Sequence, residues 1–193
     1  MNRLIVFDFD KTLIYEDSLT VVFKQRIQQK SLFFVGFYFL LKALSKLGLI
    51  SVRYEKELSI RMIYGSNLEL FFADCETAMD RLTWTPILKM LRKHIEERDV
   101  VVVISATAEY LLWHIFKDLP VRCIGTLFVK SKCGKLGIRQ HPYGRNKRII
   151  LESNGVKEID EMYYDSKSDE FLIPLCRSWN KVCKGQVINH FEK

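Results

Sequence analysis

The sequence predicts an α/β fold: a doubly wound parallel sheet carrying an inserted helical cap domain. Three observations predict it. Residues 3–8 and 99–105 hold the unbroken apolar runs LIVF and VVVVI, and such runs mark strands covered on both faces, the habit of parallel sheets. Helical and strand patterns then alternate towards the C-terminus. Between the first two strands lie about ninety residues, far more than one crossover helix needs.

Each element follows in order. Residues 3–8 form the first strand. Residues 18–85 look helical throughout and differ in flavour from the rest, which reads as the inserted cap. Its limits are set at 16–87, leaving 1–15 and 88–193 to the α/β core. DVVVVIS, 99–105, is the second strand, and a helix follows over roughly 108–117. A Gly- and Lys-rich loop covers 130–147. A helical pattern at 144–154 sets Ile149, Ile150 and Leu151 among charges. IDEMYYD, 159–165, is the third strand and WNKVCKG, 179–185, the fourth. No repeat, low-complexity tract or Pro/Gly-rich linker interrupts this order.

Composition bounds the function. The chain has 193 residues, of which 48% are hydrophobic and 27% charged, enough apolar matter to bury a core and too much for disorder. The net charge of +7 suits an anionic partner, whether nucleic acid, anionic lipid or a phosphorylated small molecule; it equally suits a solvated basic surface. The five cysteines are odd in number and form no Cys-x-x-Cys pair, which argues against a disulfide framework or a thiolate zinc site. MNRLIVFDFD is not a signal peptide, because carboxylates interrupt its apolar run at once. A cytoplasmic location is expected.

The first strand ends in two carboxylates, Asp8 and Asp10, with Thr12 close behind. Residues i and i+2 of a strand share a face, and ligands of open parallel sheets bind beyond the carboxyl ends of the strands. Two carboxylates there repel each other, and a hard divalent cation with oxygen ligands is the simplest compensation. The alternative is a solvated Asp pair in a turn. Ser105, ending the second strand, is either a phosphate ligand or an ordinary N-cap. Asp165 and Asp169, in YYDSKSDEF, either complete a carboxylate cluster at this sheet edge or cap the next helix. Lys147, in YGRNKRII, is either a solvated lysine or the positive charge that a phosphate dianion requires.

Taken together, Asp-x-Asp-x-Thr at one strand tip, Ser at the next, Lys at a helix start and Asp-Ser-x-Ser-Asp resemble the haloacid dehalogenase (HAD) superfamily of phosphohydrolases. The stretches VISAT, KSKCGKLG and YYDSKSDEFLIPLC resemble its subfamily IB, which includes the phosphoserine phosphatases. The resemblance implies a HAD-like Rossmannoid core with a helical C1 cap. It also implies Asp8 as nucleophile and Asp10 as general acid and base. Thr12, Ser105 and Lys147 would bind phosphate, and Asp8, Asp10 (through its carbonyl) and Asp165 would hold Mg²⁺, supported by Asp169. Lys11 and Tyr164 depart from the family, standing where relatives often carry Gly.

The cap is unusual. Leu32 to Leu41 is a run of ten apolar or Gly residues, and from Ser18 to Tyr54 there are six basic residues and no acid. Two readings stand: helices burying a small core with lysines outward, or an interfacial segment with its Phe-rich face among lipid tails and lysines at anionic headgroups. HAD-type phosphatidylglycerophosphatases carry a similar cap. The expected substrate is therefore a phosphorylated small molecule or a lipid phosphate, the latter with peripheral membrane association at the inner face. Arg53, Arg61, Glu55 and Glu57 are either contacts for a polar substrate or exposed helix faces. His94, His114, His141 and His190 lack metal-ligand spacing, and the basic residues of 130–148 come without a nucleic-acid motif, so no nucleic-acid partner is expected. A non-catalytic phosphate-binding module on the same scaffold is the remaining alternative.

Overall fold

The computed structural model describes residues 2–193. In chain order its elements begin with β1 (Leu4–Phe7), α1 (Ser18–Ile27), α2 (Leu32–Lys46), α3 (Val52–Tyr64) and α4 (Leu68–Ala78). Next come α5 (Leu88–Glu96), β2 (Val100–Ala108), α6 (Glu109–Phe116), β3 (Val121–Lys130) and β4 (Leu136–Gln140). The chain closes with α7 (Arg145–Ser153), β5 (Ile159–Tyr164), a 3₁₀ segment (Lys167–Leu175), β6 (Cys176–Cys183) and β7 (Gln186–Glu192).

Seven strands form one sheet in the order β4-β3-β2-β1-β5-β6-β7. The five inner strands run parallel, as expected. The two edge strands add antiparallel partners to this doubly wound parallel core: β4 pairs antiparallel with β3, and β7 with β6. Each is the second arm of a hairpin, which needs only a tight turn where a parallel edge would need another crossover. The expected loop over 130–147 therefore contains β4, and the fourth expected strand begins three residues early, at Cys176, where β6 enters its pairing with β5.

Strand alternation distributes the core. Ile5 and Phe7 point to the face covered by Leu91 of α5 and Leu112 and Phe116 of α6. Val6 points to the other face, packing among Val102, Ile104, Leu151 of α7 and Leu172. Helices on both faces are what the unbroken Val/Ile runs require. Gly125 of β3 lies so close to the start of α6 that a Cβ there would collide with the backbone of Glu109, so only glycine fits this approach.

Five helices come between β1 and β2, and the first four, α1 to α4, pack together. Their apolar faces meet around Phe23, Tyr38, Ile60 and Phe71, and this cluster continues into Phe128 and Leu136 of the β3–β4 hairpin. Arg26 pairs with Asp74 at 2.6 Å, tying α1 to α4. Arg53 and Arg61 each donate at 2.5 Å to a β4 carbonyl, of Ile138 and Leu136. Those two arginines thus supply partners for a strand edge, and Glu57 pairs with Arg61.

A carboxylate cluster at the strand tips

β1 continues straight into the site. Asp8 donates its backbone N–H to Tyr163 O at 2.9 Å, so the last rung of the β1–β5 ladder holds the first carboxylate. Its side chain is buried. The chain then turns, with Lys11 at φ 60°, in the left-handed region. This explains why relatives often carry Gly there: a Cβ costs about 1 kcal/mol in that region. The turn sends Asp10 back to α1, where its Oδ1 accepts from the Ser18 N–H at 2.9 Å. Asp17 caps the same helix, accepting from Thr20 N–H at 2.8 Å.

β5 ends at Tyr164, and Asp165 follows it. Tyr164 itself is buried in the core on the α7 face, so its bulk packs inward without displacing Asp165 from the cleft. Asp169 hangs from the first turn of the 3₁₀ segment, its N–H bonded to Ser166 O at 3.0 Å. Carboxylate oxygens of Asp8, Asp165 and Asp169 all lie within 4.8 Å of one another. Lys147 enters from the first turn of α7, fully enclosed. Its Nζ stands 2.6 Å from Asp8 Oδ1 and 2.5 Å from Asp169 Oδ1. Thr12, also buried, directs its hydroxyl to Asp8 Oδ2 at 3.5 Å, while its carbonyl accepts from Thr85. Ser105 lies in the same cleft. It is not the end of its strand: β2 shifts register after Ile104 and pairs again at Ala108. The Ser105 hydroxyl accepts from the Thr107 N–H at 3.3 Å across that irregularity.

Six of the seven residues singled out from the sequence therefore line one cleft, and the seventh, Thr12, is buried behind Asp8. The carboxylate of Asp10 stands apart from the three-carboxylate cluster, engaged by Ser18. Burial raises the proton affinity of Asp8, although Lys147 opposes it; the neighbouring Asp165 adds to the rise. Burial and then Asp17 push Asp10 up to about 7, against its hydrogen bond from Ser18. Burial likewise lifts Asp169 to about 6 despite Lys147, and lifts Asp165 with help from Asp169. Lys147 moves upward: Asp8 and Asp169 outweigh the burial that would lower it.

The cleft, about 600 Å³, is closed on its far side by residues the sequence did not single out as site residues: Asp17, Lys42, Lys46 and Lys56. Asp17 carried a signal, an acidic N-cap before an apolar helix. Lys56 carried none, because only the packing of α3 turns it toward Ala106, whose carbonyl accepts from its Nζ at 2.7 Å. A second cavity of about 380 Å³, lined by Phe72, Tyr110 and Trp113, holds none of the carboxylates. Another acidic group, His94 with Glu97 and Asp99, sits at the opposite ends of the strands, beside Arg3.

The family model for haloacid dehalogenase-like hydrolases matches residues 5–169. No curated protein matches the chain. Among solved structures, a protein of unknown function from Bordetella pertussis Tohama I is similar, with a TM-score of 0.73 and 17% identity over 90% of this chain and 86% of that one. A substrate-bound phosphoserine phosphatase gives a TM-score of 0.65 at 14% identity, covering 91% and 83%. A phospho-aspartyl intermediate analogue of phosphoserine phosphatase gives 0.62 at 16%, covering 91% and 83%. At these identities the likeness is one of fold. The family model spans both ends of the carboxylate cluster, from β1 to Asp169, and the chain belongs to the haloacid dehalogenase-like hydrolases.

Proposed function

We propose that this hydrolase is a phosphomonoesterase that works through an aspartyl-phosphate on Asp8. The observation that carries the reading is Lys147, a buried ammonium bridging Asp8 and Asp169 at the tips of the parallel strands. It opposes the burial that raises the proton affinity of Asp8, and it sets a positive charge where phosphoryl oxygens would gather. Asp8 attacks phosphorus, and the bond from phosphorus to the alcohol oxygen breaks. Asp10, pushed up to about 7, gives its proton to that oxygen and later takes one from the water that attacks the acyl phosphate, releasing phosphate and freeing Asp8. Thr12 and Ser105 offer hydroxyls to the phosphoryl oxygens. The names of the phosphoserine phosphatase structures of like fold agree with this chemistry.

The donor set fits a divalent cation. Two buried carboxylates, Asp8 and Asp169, share one ammonium, and the half-buried Asp165 joins them within 4.8 Å, which leaves negative charge uncompensated among hard oxygen donors. We assign Asp8, Asp165 and the Asp10 carbonyl as Mg²⁺ ligands, with Asp169 supporting them through Lys147. When bound, the ion would neutralise charge on the phosphoryl group. Residues 16–87 act as the cap over the cleft. The test is hydrolysis of p-nitrophenyl phosphate with Mg²⁺. Asp8→Asn is expected to abolish it; full activity in that variant, or binding of phosphate esters without turnover by the unaltered protein, would refute the reading.

One observation favours a second reading, in which the substrate is a lipid phosphate at a membrane surface. Only Tyr38 and Leu41 of α2 are buried, while Leu32, Phe33 and Leu47 are 89, 76 and 73% exposed. Such an apolar face beside lysines suits the headgroup boundary of an anionic bilayer. No helix among the described residues is long and apolar enough to cross a membrane. The five cysteines are free, which supports a reducing compartment such as the cytoplasm.

A further inference from the structure

Resting on the phosphomonoesterase reading, we propose that Lys46 and Lys42 form a second anion subsite. The preferred substrate then carries, on its alcohol portion, an anionic group besides the scissile phosphate: a carboxylate or a phosphodiester. The cleft of about 600 Å³ is far larger than a phosphoryl group, so the alcohol must occupy its α2–α3 side. That side is polar. Of its residues on α2 and α3 only Val52 is apolar; the others are Lys42, Ser45, Lys46, Glu55 and Lys56.

The charges there are unevenly committed. Lys56 donates to the Ala106 carbonyl at 2.7 Å. Lys42 donates to Thr20 Oγ1 at 2.6 Å and lies 4.0 Å from Asp17 Oδ2. Glu55 is buried and accepts from Ser59. Lys46 lines the same cleft one helical turn from Lys42, yet no hydrogen bond or ion pair engages its ammonium among the described residues. A helix C-terminus suits a lysine anywhere on the last turn. It does not account for two stacked lysines facing a cleft whose other end is acidic. An anion bridging Lys46 and Lys42 does, and with the scissile phosphate held beside Lys147 it fixes the orientation in which a doubly anionic ester lies in the cleft.

The experiment compares glycerol 3-phosphate, whose alcohol portion is otherwise uncharged, with 3-phosphoglycerate and with glycerol 1,3-bisphosphate methylated on one phosphate. kcat/KM is measured for turnover, and dissociation constants are measured in the Asp8→Asn protein. A preference for the doubly anionic esters is expected. Lys46→Ala should reduce it about tenfold, through KM, the size of one charge-assisted hydrogen bond. Lys46→Arg should retain it, and Lys89→Ala, on the exposed face of α5, should leave it alone. The bisphosphate ester with a diacylglycerol in place of its methyl group, so that the phosphodiester keeps its charge, separates sources when presented in neutral vesicles: tighter binding there than for the free ester identifies a headgroup, and equal binding a free metabolite. Equal dissociation constants for charged and uncharged esters, or a preference insensitive to Lys46→Ala, overturn the subsite. Absence of turnover with the binding preference intact would instead count against the phosphatase reading alone.

Discussion

Lys147 is where the energetics of the site concentrate. A buried ion pair adds little net stability, but removing one partner strands the other. Here one ammonium answers for two buried carboxylates. Lys147→Ala should therefore cost about 3 kcal/mol of stability in metal-free buffer, and added Mg²⁺ should restore part of it. Chemical denaturation with and without Mg²⁺ measures this, and an unchanged midpoint would mean that the carboxylates are not held as charges at all. Activity should fall in parallel, because the same ammonium faces the phosphoryl oxygens. Individual residues were legible where strand ends and turns marked them, Asp8 just past β1 and Asp165 and Asp169 on either side of a turn; Asp10 reaches the same cleft, but the turn after β1 sends its carboxylate to Ser18 rather than beside Asp8 on one strand face. Lys56 was not legible, since nothing in ISVRYEKELS says that the fifth side chain after Ser51 will reach a β2 carbonyl. Lys11 looked like a departure from the family and turns out to occupy a left-handed backbone position that tolerates it at modest cost.

Among the elements, buried ones were legible and edge ones were not. β1, β2 and β5 are covered on both faces and read as apolar runs. β4 and β7 lie at the sheet edges, and β7 is exposed along its whole length, so no hydrophobic pattern distinguishes it from loop. β3 carries Arg122, Gly125 and Lys130, which dilute its signal even though Gly125 is what lets α6 dock. α2 presents the converse case. Its apolar run was plain, but which side it buries emerged only from the packing, and most of that side is outward. If this face meets membrane, the protein should co-sediment with anionic vesicles at low salt, and Phe33→Asp should weaken that binding about tenfold or more. No binding of the unaltered protein would leave the lipid-phosphate reading without support.

At the scale of the molecule, the parallel topology does the assembling. β1, β2 and β5 are neighbours pointing the same way, so residues 8, 105 and 165, scattered along the chain, arrive at one edge. α7 then aims Lys147 into their midst. This convergence was readable in outline because the crossover rules leave few alternatives once three parallel strands are granted. The opposite wall was not, because α1 to α4 share a core with β3 and β4 whose register no local pattern encodes. The central claim is that this edge carries a phosphoryl group on Asp8. The most direct measurement is to quench turnover of acetyl phosphate in acid, reduce the protein with borohydride and locate the modified residue by mass spectrometry. The account predicts homoserine at position 8, dependent on Mg²⁺ and absent from Asp8→Asn; continued turnover with residue 8 unmodified would contradict it.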